Sequence, residues 1–505
     1  MNILFVRPPR TFWPFNSESS SFWQPLAFCS LAAILREKLD FVNVKILDCL
    51  PLKIGWSSLK DHIERIKPDV VCLGDETASS HESIKVVSLV KEIDPNIKVL
   101  GGGYFFGNMI EESLKEHSMD FIIMKEGELT ILEFVKELNK PKKDQDFAKI
   151  KGLAFKDKIG RIIINPLREF IKNLDELPLP AYDLLSMDLY GANSKNHKDF
   201  VAIEHGRGCT ASCNFCSIFA QMSPDKNPLY RTKSAKKSLE ETEILIDKYK
   251  RKTFNWVDGT WNASPTWIKE YCQGIIDRGL DIQHTAWMRA DYVLRDEKLG
   301  LLKKQVDAGL VESIIGAERP PGFDSQLKSK LNKFNYSFDK CNEAFKILKK
   351  YNKVYTIASF IYGLPEDDKQ VLKALNKVVH SDFADMVFLL PFTPNPGTPE
   401  WIKHKHSFPT KDFRKHNYHF PVMGTKHLST QQLNSWFKKV LFWYVFWPDR
   451  LIKRVWSETD ERKKRLHKSL AQKILLASGT KLFNLITLNK AHESEFGRCP
   501  AWYYC

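Results

Sequence analysis

The stretch His205-Gly206-Arg207-Gly208-Cys209-Thr210-Ala211-Ser212-Cys213-Asn214-Phe215-Cys216 decides how the rest of the chain is read. Its C-x3-C-x2-C spacing puts three thiols in one short loop, close enough to hold three irons of a cubane. Cysteine thiolates are the usual ligands of iron–sulfur clusters, and three of them leave one iron open to a further ligand. Two other accounts stand beside this one. A structural zinc ion takes four N or S ligands, commonly from C-x2–4-C pairs, but no second pair follows at a suitable spacing. Disulfide pairing within the loop would leave one cysteine over.

Downstream, apolar or aromatic runs end in polar residues at regular intervals, at 254–259, 284–289, 313–318 and 358–363. Helical periodicity at 238–248, 265–278, 297–308 and 338–350 fills the gaps. The alternation predicts a partial (β/α) TIM-type barrel, whose active site gathers at the carboxyl ends of the strands. Residues 389–399 read as its last strand and exit. Asp367, Asp368 and Lys369 read as the capped, solvated first turn of a helix.

Upstream, five short β-branched runs (2–6, 44–48, 69–73, 97–100 and 121–124) alternate with helical stretches at 26–37, 56–66, 83–93 and 109–117. This predicts a doubly wound α/β domain built on a parallel sheet, with ligands beyond the strand ends. Arg7-Pro8-Pro9, Gly74-Asp75-Glu76-Thr77, Gly101-Gly102-Gly103 and Glu126-Gly127-Glu128 lie at those ends. Glycines there let a bulky ligand approach the backbone, although three in a row also make a tight turn. Between the two halves, 152–165 reads as a hairpin and 173–185 as a proline-punctuated linker, extended before each proline. The expected division is 1–140, 141–197, 198–400 and a helical, aromatic-rich 401–505.

As a set these motifs resemble class B radical S-adenosylmethionine (SAM) enzymes, which carry a cobalamin-binding, Rossmann-like domain before the radical barrel. The cysteine spacing with Phe215 before the last cysteine carries the resemblance, with the R-P-P start, Pro25-Leu26-Ala27, the G-G-G and E-G-E turns and the L-D-E-L-P-x-P-A-Y-D connector. It implies a [4Fe–4S] cluster on Cys209, Cys213 and Cys216. It also implies SAM contacts from Phe215, Asp258, Gly259, Arg289, Glu318, Ser359 and Gly363, Ser359 replacing the first glycine of a G-x-I-x-G motif. Cobalamin contacts are implied for Pro8, Thr77, Gly102, Gly103, Glu126, Gly127 and Glu128. The first loop contains no D-x-H-x-x-G, so the resemblance implies cobalamin bound without a protein histidine; His81 reads as a surface residue at a helix start. Phe12, Trp13, Phe15, Phe22 and Trp23 suit either a cover for one corrin face or core packing.

The phrase 416–423 and the basic, aromatic helix after Leu428-Ser429-Thr430 resemble the anaerobic magnesium-protoporphyrin monomethyl ester cyclase branch. That helix, expected through Trp447, suits packing on the barrel or a greasy surface for a membrane or hydrophobic substrate. The tail with Cys499 and Cys505 has no assignment. Cys29, Cys49, Cys72, Cys272 and Cys341 read as small core residues.

Composition fits an enzyme of this size. The chain has 505 residues, 43% hydrophobic and 27% charged, with ten cysteines and a net charge of +15. The basic excess lies late, around Lys438, Lys439, Arg450, Lys453, Arg454 and 462–464, which argues against nucleic acid and for a solvated face or an acidic partner. No signal peptide or spanning segment is apparent, and the expected compartment is the cytoplasm. The resemblance implies a methyltransferase acting on an unactivated carbon through a 5′-deoxyadenosyl radical and methylcobalamin. The alternative is a cobalamin-assisted oxidative cyclase or oxidoreductase on a tetrapyrrole or lipid. The substrate expected is a small molecule, lipid, tetrapyrrole or protein side chain, and the electron donor a ferredoxin or flavodoxin.

Overall fold

The computed structural model describes residues 1–9, 23–74, 76–191, 199–223, 227, 229–409, 412–446 and 458–468. Phe12, Trp13, Phe15, Phe22, Asp75, Trp447, Arg450, Lys453, Arg454, Cys499 and Cys505 lie outside them.

The first sheet contains β1 (Asn2–Arg7), β2 (Asn43–Asp48), β3 (Val70–Gly74), β4 (Lys98–Gly102) and β5 (Phe121–Ile123), all parallel. Their nearly unbroken apolar runs follow from burial on both faces, between helices Leu26–Lys38 and Glu128–Leu138 on one side and Trp56–Ile66 and Ser80–Ile93 on the other. The strand order reverses between β1 and β3, the switch point where open α/β sheets take ligands. The expected hairpin forms as β6 (Leu153–Lys156) and β7 (Ile162–Ile164), and it extends this sheet antiparallel from β5. The hairpin therefore belongs structurally to the first sheet rather than to a free connector.

The second sheet holds six parallel strands in chain order: β8 (Phe200–Ile203), β11 (Thr253–Trp256), β12 (Gln283–Met288), β13 (Leu310–Glu318), β14 (Tyr355–Tyr362) and β15 (Met386–Pro391). β9 (Gly206–Gly208) and β10 (Tyr230–Thr232) form a separate antiparallel pair flanking the cysteine loop. β8 was not anticipated, because a strand of only four residues, all buried, carries no periodic signal. The helix expected over 297–308 is two helices, Ala290–Lys298 and Leu301–Asp307. Gly300, at φ 67°, takes the left-handed backbone that separates them.

The connector ties the two sheets together through buried polar contacts. The Tyr182 hydroxyl donates to Ala202 O at 3.0 Å and the Tyr190 hydroxyl to Asp48 Oδ2 at 2.7 Å. Gln24 donates to Phe200 O and accepts from Ala202 N, so it pairs with the outer edge of β8. The helix Thr430–Phe446 packs Leu433, Val440 and Tyr444 against the barrel, with the Trp436 and Phe437 rings 5.1 and 5.8 Å from that of Tyr362. Packing accounts for that face, while Phe442 and Trp443 remain 51% and 49% exposed. No helix among the described residues is long and apolar enough to cross a membrane. The five core cysteines are all buried, and His81 is exposed on its helix.

Candidate functional site

The cysteine loop is shaped by close backbone approaches. Gly208 sits at φ 85°, and a Cβ there would lie 1.9 Å from Leu229 O. A Cβ on Gly259 would come within 2.8 Å of Gly208 O, so the turn after β11 presses directly on the loop. Only glycine fits at these two positions. Cys209 Sγ lies 3.2 Å from Thr260 Oγ1, and Cys213 and Cys216 are in electrostatic reach of it.

The three thiols are free. Among the described residues, the one group of ligand atoms lying within 4.8 Å of one another is Glu112, Glu116 and His117 on the surface. Burial pushes the Cys213 thiol up to about 12 and raises Cys216 as well. Deprotonated sulfur at these positions calls for compensating positive charge, which cluster irons provide.

The expected SAM contacts are already engaged with the protein in several cases. Asp258, 3% exposed, accepts from His205 N at 3.0 Å and Gly206 N at 2.5 Å. Its other oxygen lies 2.9 Å from His205 Nδ1. Asp258 thus anchors the strand leading into the cysteine loop. Arg289 makes a two-pronged contact with Asp291, at 3.0 and 2.9 Å. Glu318, a non-glycine residue at φ 63°, pairs with Lys333 Nζ at 2.8 Å. Burial opposes charge on Lys333, but Glu318 and Cys213 outweigh it and raise its pKa. Ser359 is buried on β14, Phe215 packs against the main core, and Gly363 occupies a left-handed turn at φ 81°.

That turn is organised by a residue that reads as solvated in the sequence. Asp367 is fully buried and pairs with the equally buried Arg319 at 2.6 and 3.1 Å, also accepting from Gly363 N and Leu364 N. The expectation of a capped, exposed turn holds for Asp368, whose carboxylate accepts from Gln370 N and Val371 N. For Asp367 it fails, because Arg319 enters from a distant strand end. Lys333 was likewise missed, since no local pattern distinguishes it from its neighbours Lys328 and Lys330.

The first sheet's ligand edge divides in the same way. Gly102 has room for a Cβ, with Ile123 O at 3.7 Å, and Gly103 is exposed at φ 77°. Pro8 and Thr77 are buried just beyond β1 and β3. Gly101 and Gly127 are packing glycines: a Cβ would meet Met119 at 2.8 Å and Leu31 at 3.0 Å, respectively. Glu126 and Glu128 are turned toward the barrel. Arg207 binds Glu128 at 2.7 Å, Glu126 at 3.2 Å and Glu204 at 2.9 Å, and Arg231 binds Glu126 at 2.9 Å. Arg207 overcomes the cost of burial and holds the Glu128 carboxyl below the usual range. The residue two before Cys209 is therefore clamped to the carboxyl end of β5. Thr77, Gly102 and Gly103 lie at the ends of β3 and β4, where Gly102 has room beside its Cα.

Comparison with known proteins agrees with this arrangement. Residues 14–135 match the family described as B12 binding domain and residues 203–378 the Radical SAM superfamily. The chain is 29% identical over 460 residues to an uncharacterized methyltransferase of Pyrococcus horikoshii, covering 90% of this chain and 95% of that one. It is 26% identical over 425 residues to the anaerobic magnesium-protoporphyrin IX monomethyl ester cyclase of Rubrivivax gelatinosus, covering 84% and 73%. The fold matches the cobalamin-dependent SAM radical enzyme OxsB with a TM-score of 0.68 at 16% identity, over 93% of this chain and 70% of that one. The chain thus carries a B12 binding domain followed by a radical SAM domain and is an enzyme of the radical SAM type, and its similarities run to cyclases and methyltransferases.

Proposed function

We propose that this enzyme removes hydrogen from an unactivated carbon of a tetrapyrrole- or lipid-class substrate and carries the substrate on to an oxidised or cyclised product. The observation that carries this reading is the clamp of Arg207 on Glu126 and Glu128, which brings the cysteine loop to the ligand edge of the first sheet. The similarity to the Rubrivivax cyclase along most of both chains supports the oxidative outcome. When bound, the cluster supplies the electron that cleaves SAM, and cobalamin supplies an acceptor for an electron or a methyl group.

In this reading Cys209, Cys213 and Cys216 hold three irons. Gly208 and Gly259 keep the loop tight against β11. Asp258 and His205 fix the entry to that loop, the segment that would hold the cluster. The Glu318–Lys333 and Arg289–Asp291 pairs line the strand ends and orient the polar parts of SAM. Thr77, Gly102 and Gly103 offer small groups and backbone to the corrinoid.

A second reading, methyl transfer, is favoured by the similarity to the Pyrococcus methyltransferase. Anaerobically reconstituted protein, given reductant, methyl-deuterated SAM and magnesium-protoporphyrin monomethyl ester, separates the two by mass spectrometry. The oxidative reading expects 5′-deoxyadenosine and a product that has lost hydrogen, with or without oxygen gained from water, and that carries no deuterium. Deuterium in the corrinoid or in the product overturns it in favour of methyl transfer.

A further inference from the structure

Two phenols stand between the ligand edges, and neither the cluster loop nor the corrinoid cradle accounts for them. Tyr104 directly follows Gly103, in the short helix Gly103–Phe106 at the end of β4. Phe105 and Phe106 beside it are fully buried and anchor the backbone, while Tyr104 is only half-buried. Its phenol has no hydrogen-bond partner among the described residues. It lies in electrostatic reach of Cys216 and Glu204 on the barrel side, of Tyr418 and of Glu76.

Tyr418 comes from the opposite end of the chain. It holds a left-handed backbone at φ 61°, unusual for a bulky aromatic. The preceding His416 and Asn417 are 3% and 8% exposed, whereas Tyr418 is 41% exposed, so its ring is not there to fill the core. Its hydroxyl accepts from Asn395 Nδ2 and lies against Ser217, the residue after Cys216. A strained backbone held in place by side-chain contacts beside a cluster ligand points to use rather than packing.

We propose that Tyr104 and Tyr418 are the protein groups facing the cluster side of bound cobalamin, with Tyr104 nearer the cobalt and Tyr418 nearer the iron. This rests on cobalamin lying between the first sheet's edge and the cysteine loop. Phenols are ordinarily neutral at pH 7, so where no imidazole is available a phenol oxygen could accept a hydrogen bond from a water on cobalt. Such an acceptor would help to retain that water.

The test uses full-length, cluster-reconstituted protein loaded with hydroxocobalamin and reduced to the cob(II)alamin state. Coordination is read by electron paramagnetic resonance and the visible spectrum, without any substrate. Wild-type protein is expected to give a five-coordinate signal, and Tyr104→Phe to shift it toward four-coordinate; Tyr418→Phe should shift it less, in the same direction. Cobalamin lost from Tyr104→Phe with the cluster intact also supports the contact, since only one oxygen has been removed. Spectra of Tyr104→Phe that superimpose on wild type overturn the proposal. If Tyr104→Phe loses both cofactors, Tyr418→Phe decides: a shifted spectrum supports the pair and an unchanged one overturns it. Wild-type protein that takes up no cobalamin overturns the underlying placement as well.

Discussion

The parallel strands of the two sheets are joined near their carboxyl ends by Arg207, yet those ends are built from different materials. On the first sheet the ligand edge is mostly backbone and small side chains, Thr77, Gly102 and Gly103, and its acids Glu126 and Glu128 are turned outward to Arg207 and Arg231. On the second sheet the edge is made of charge pairs, Glu318 with Lys333, Arg289 with Asp291 and Arg319 with Asp367. A bulky corrinoid needs space and amides; a zwitterionic ligand such as SAM needs oriented charge. The contrast is what the proposed placement of a corrinoid on the first edge and SAM on the second calls for, and Arg207 joins the two edges.

The largest expected effect lies at the cysteine loop. Alanine at Cys209, Cys213 or Cys216 should abolish iron–sulfur absorbance and reduce 5′-deoxyadenosine formation to background. Each variant should still bind cobalamin, because the glycine edge is untouched. Loss of cobalamin binding in all three variants would show that the edges are not separable.

Two buried arginines sharpen the comparison next. Removing one partner of a buried ion pair costs about 3–5 kcal/mol. Both Arg207→Ala and Arg319→Ala should lower the unfolding free energy by amounts of this order, measured by denaturant titration. Arg207→Ala should also weaken cobalamin retention and Arg319→Ala should not, since of the two arginines Arg207 reaches the first sheet and Arg319 pairs within the second. Equal retention in the two variants would remove the clamp from the account.

The glycines discriminate more finely. Gly101→Ala should cost about 1–3 kcal/mol through overpacking against Met119 and Ile122. Gly102→Val should leave stability nearly unchanged but reduce cobalamin affinity, read by equilibrium dialysis. The reverse ranking would place the corrinoid elsewhere.

The smallest effect is in acid. The Glu128 carboxyl is held below its usual value in the folded protein. Its contribution is fully present above the unfolded value of about 4.3 and is lost as pH falls through the lower folded value. Glu128→Gln should therefore destabilise at pH 7 and flatten the acid limb of a stability profile.

Much of the fold was legible because its signals are local. Five apolar runs and their intervening helices gave the first sheet, and C-x3-C-x2-C located the loop that the barrel surrounds. Pairings made between distant segments were not legible. Nothing around Asp367 announces Arg319, nothing around Lys333 announces Glu318, and the E-G-E turn reads as a ligand contact until Arg207 is seen to occupy it. β8 escaped notice for a similar reason, being a four-residue strand defined by its neighbours. Tyr104 and Tyr418 lie 314 positions apart in the numbering and share a site only once both sheets are in place.

The most direct test of the account is SAM cleavage by protein carrying both cofactors. Under anaerobic conditions, reconstituted wild-type enzyme with a strong reductant should form 5′-deoxyadenosine, and the Cys213→Ala variant should form none. A wild-type protein with a full complement of iron, sulfide and cobalamin that forms no 5′-deoxyadenosine would contradict the account.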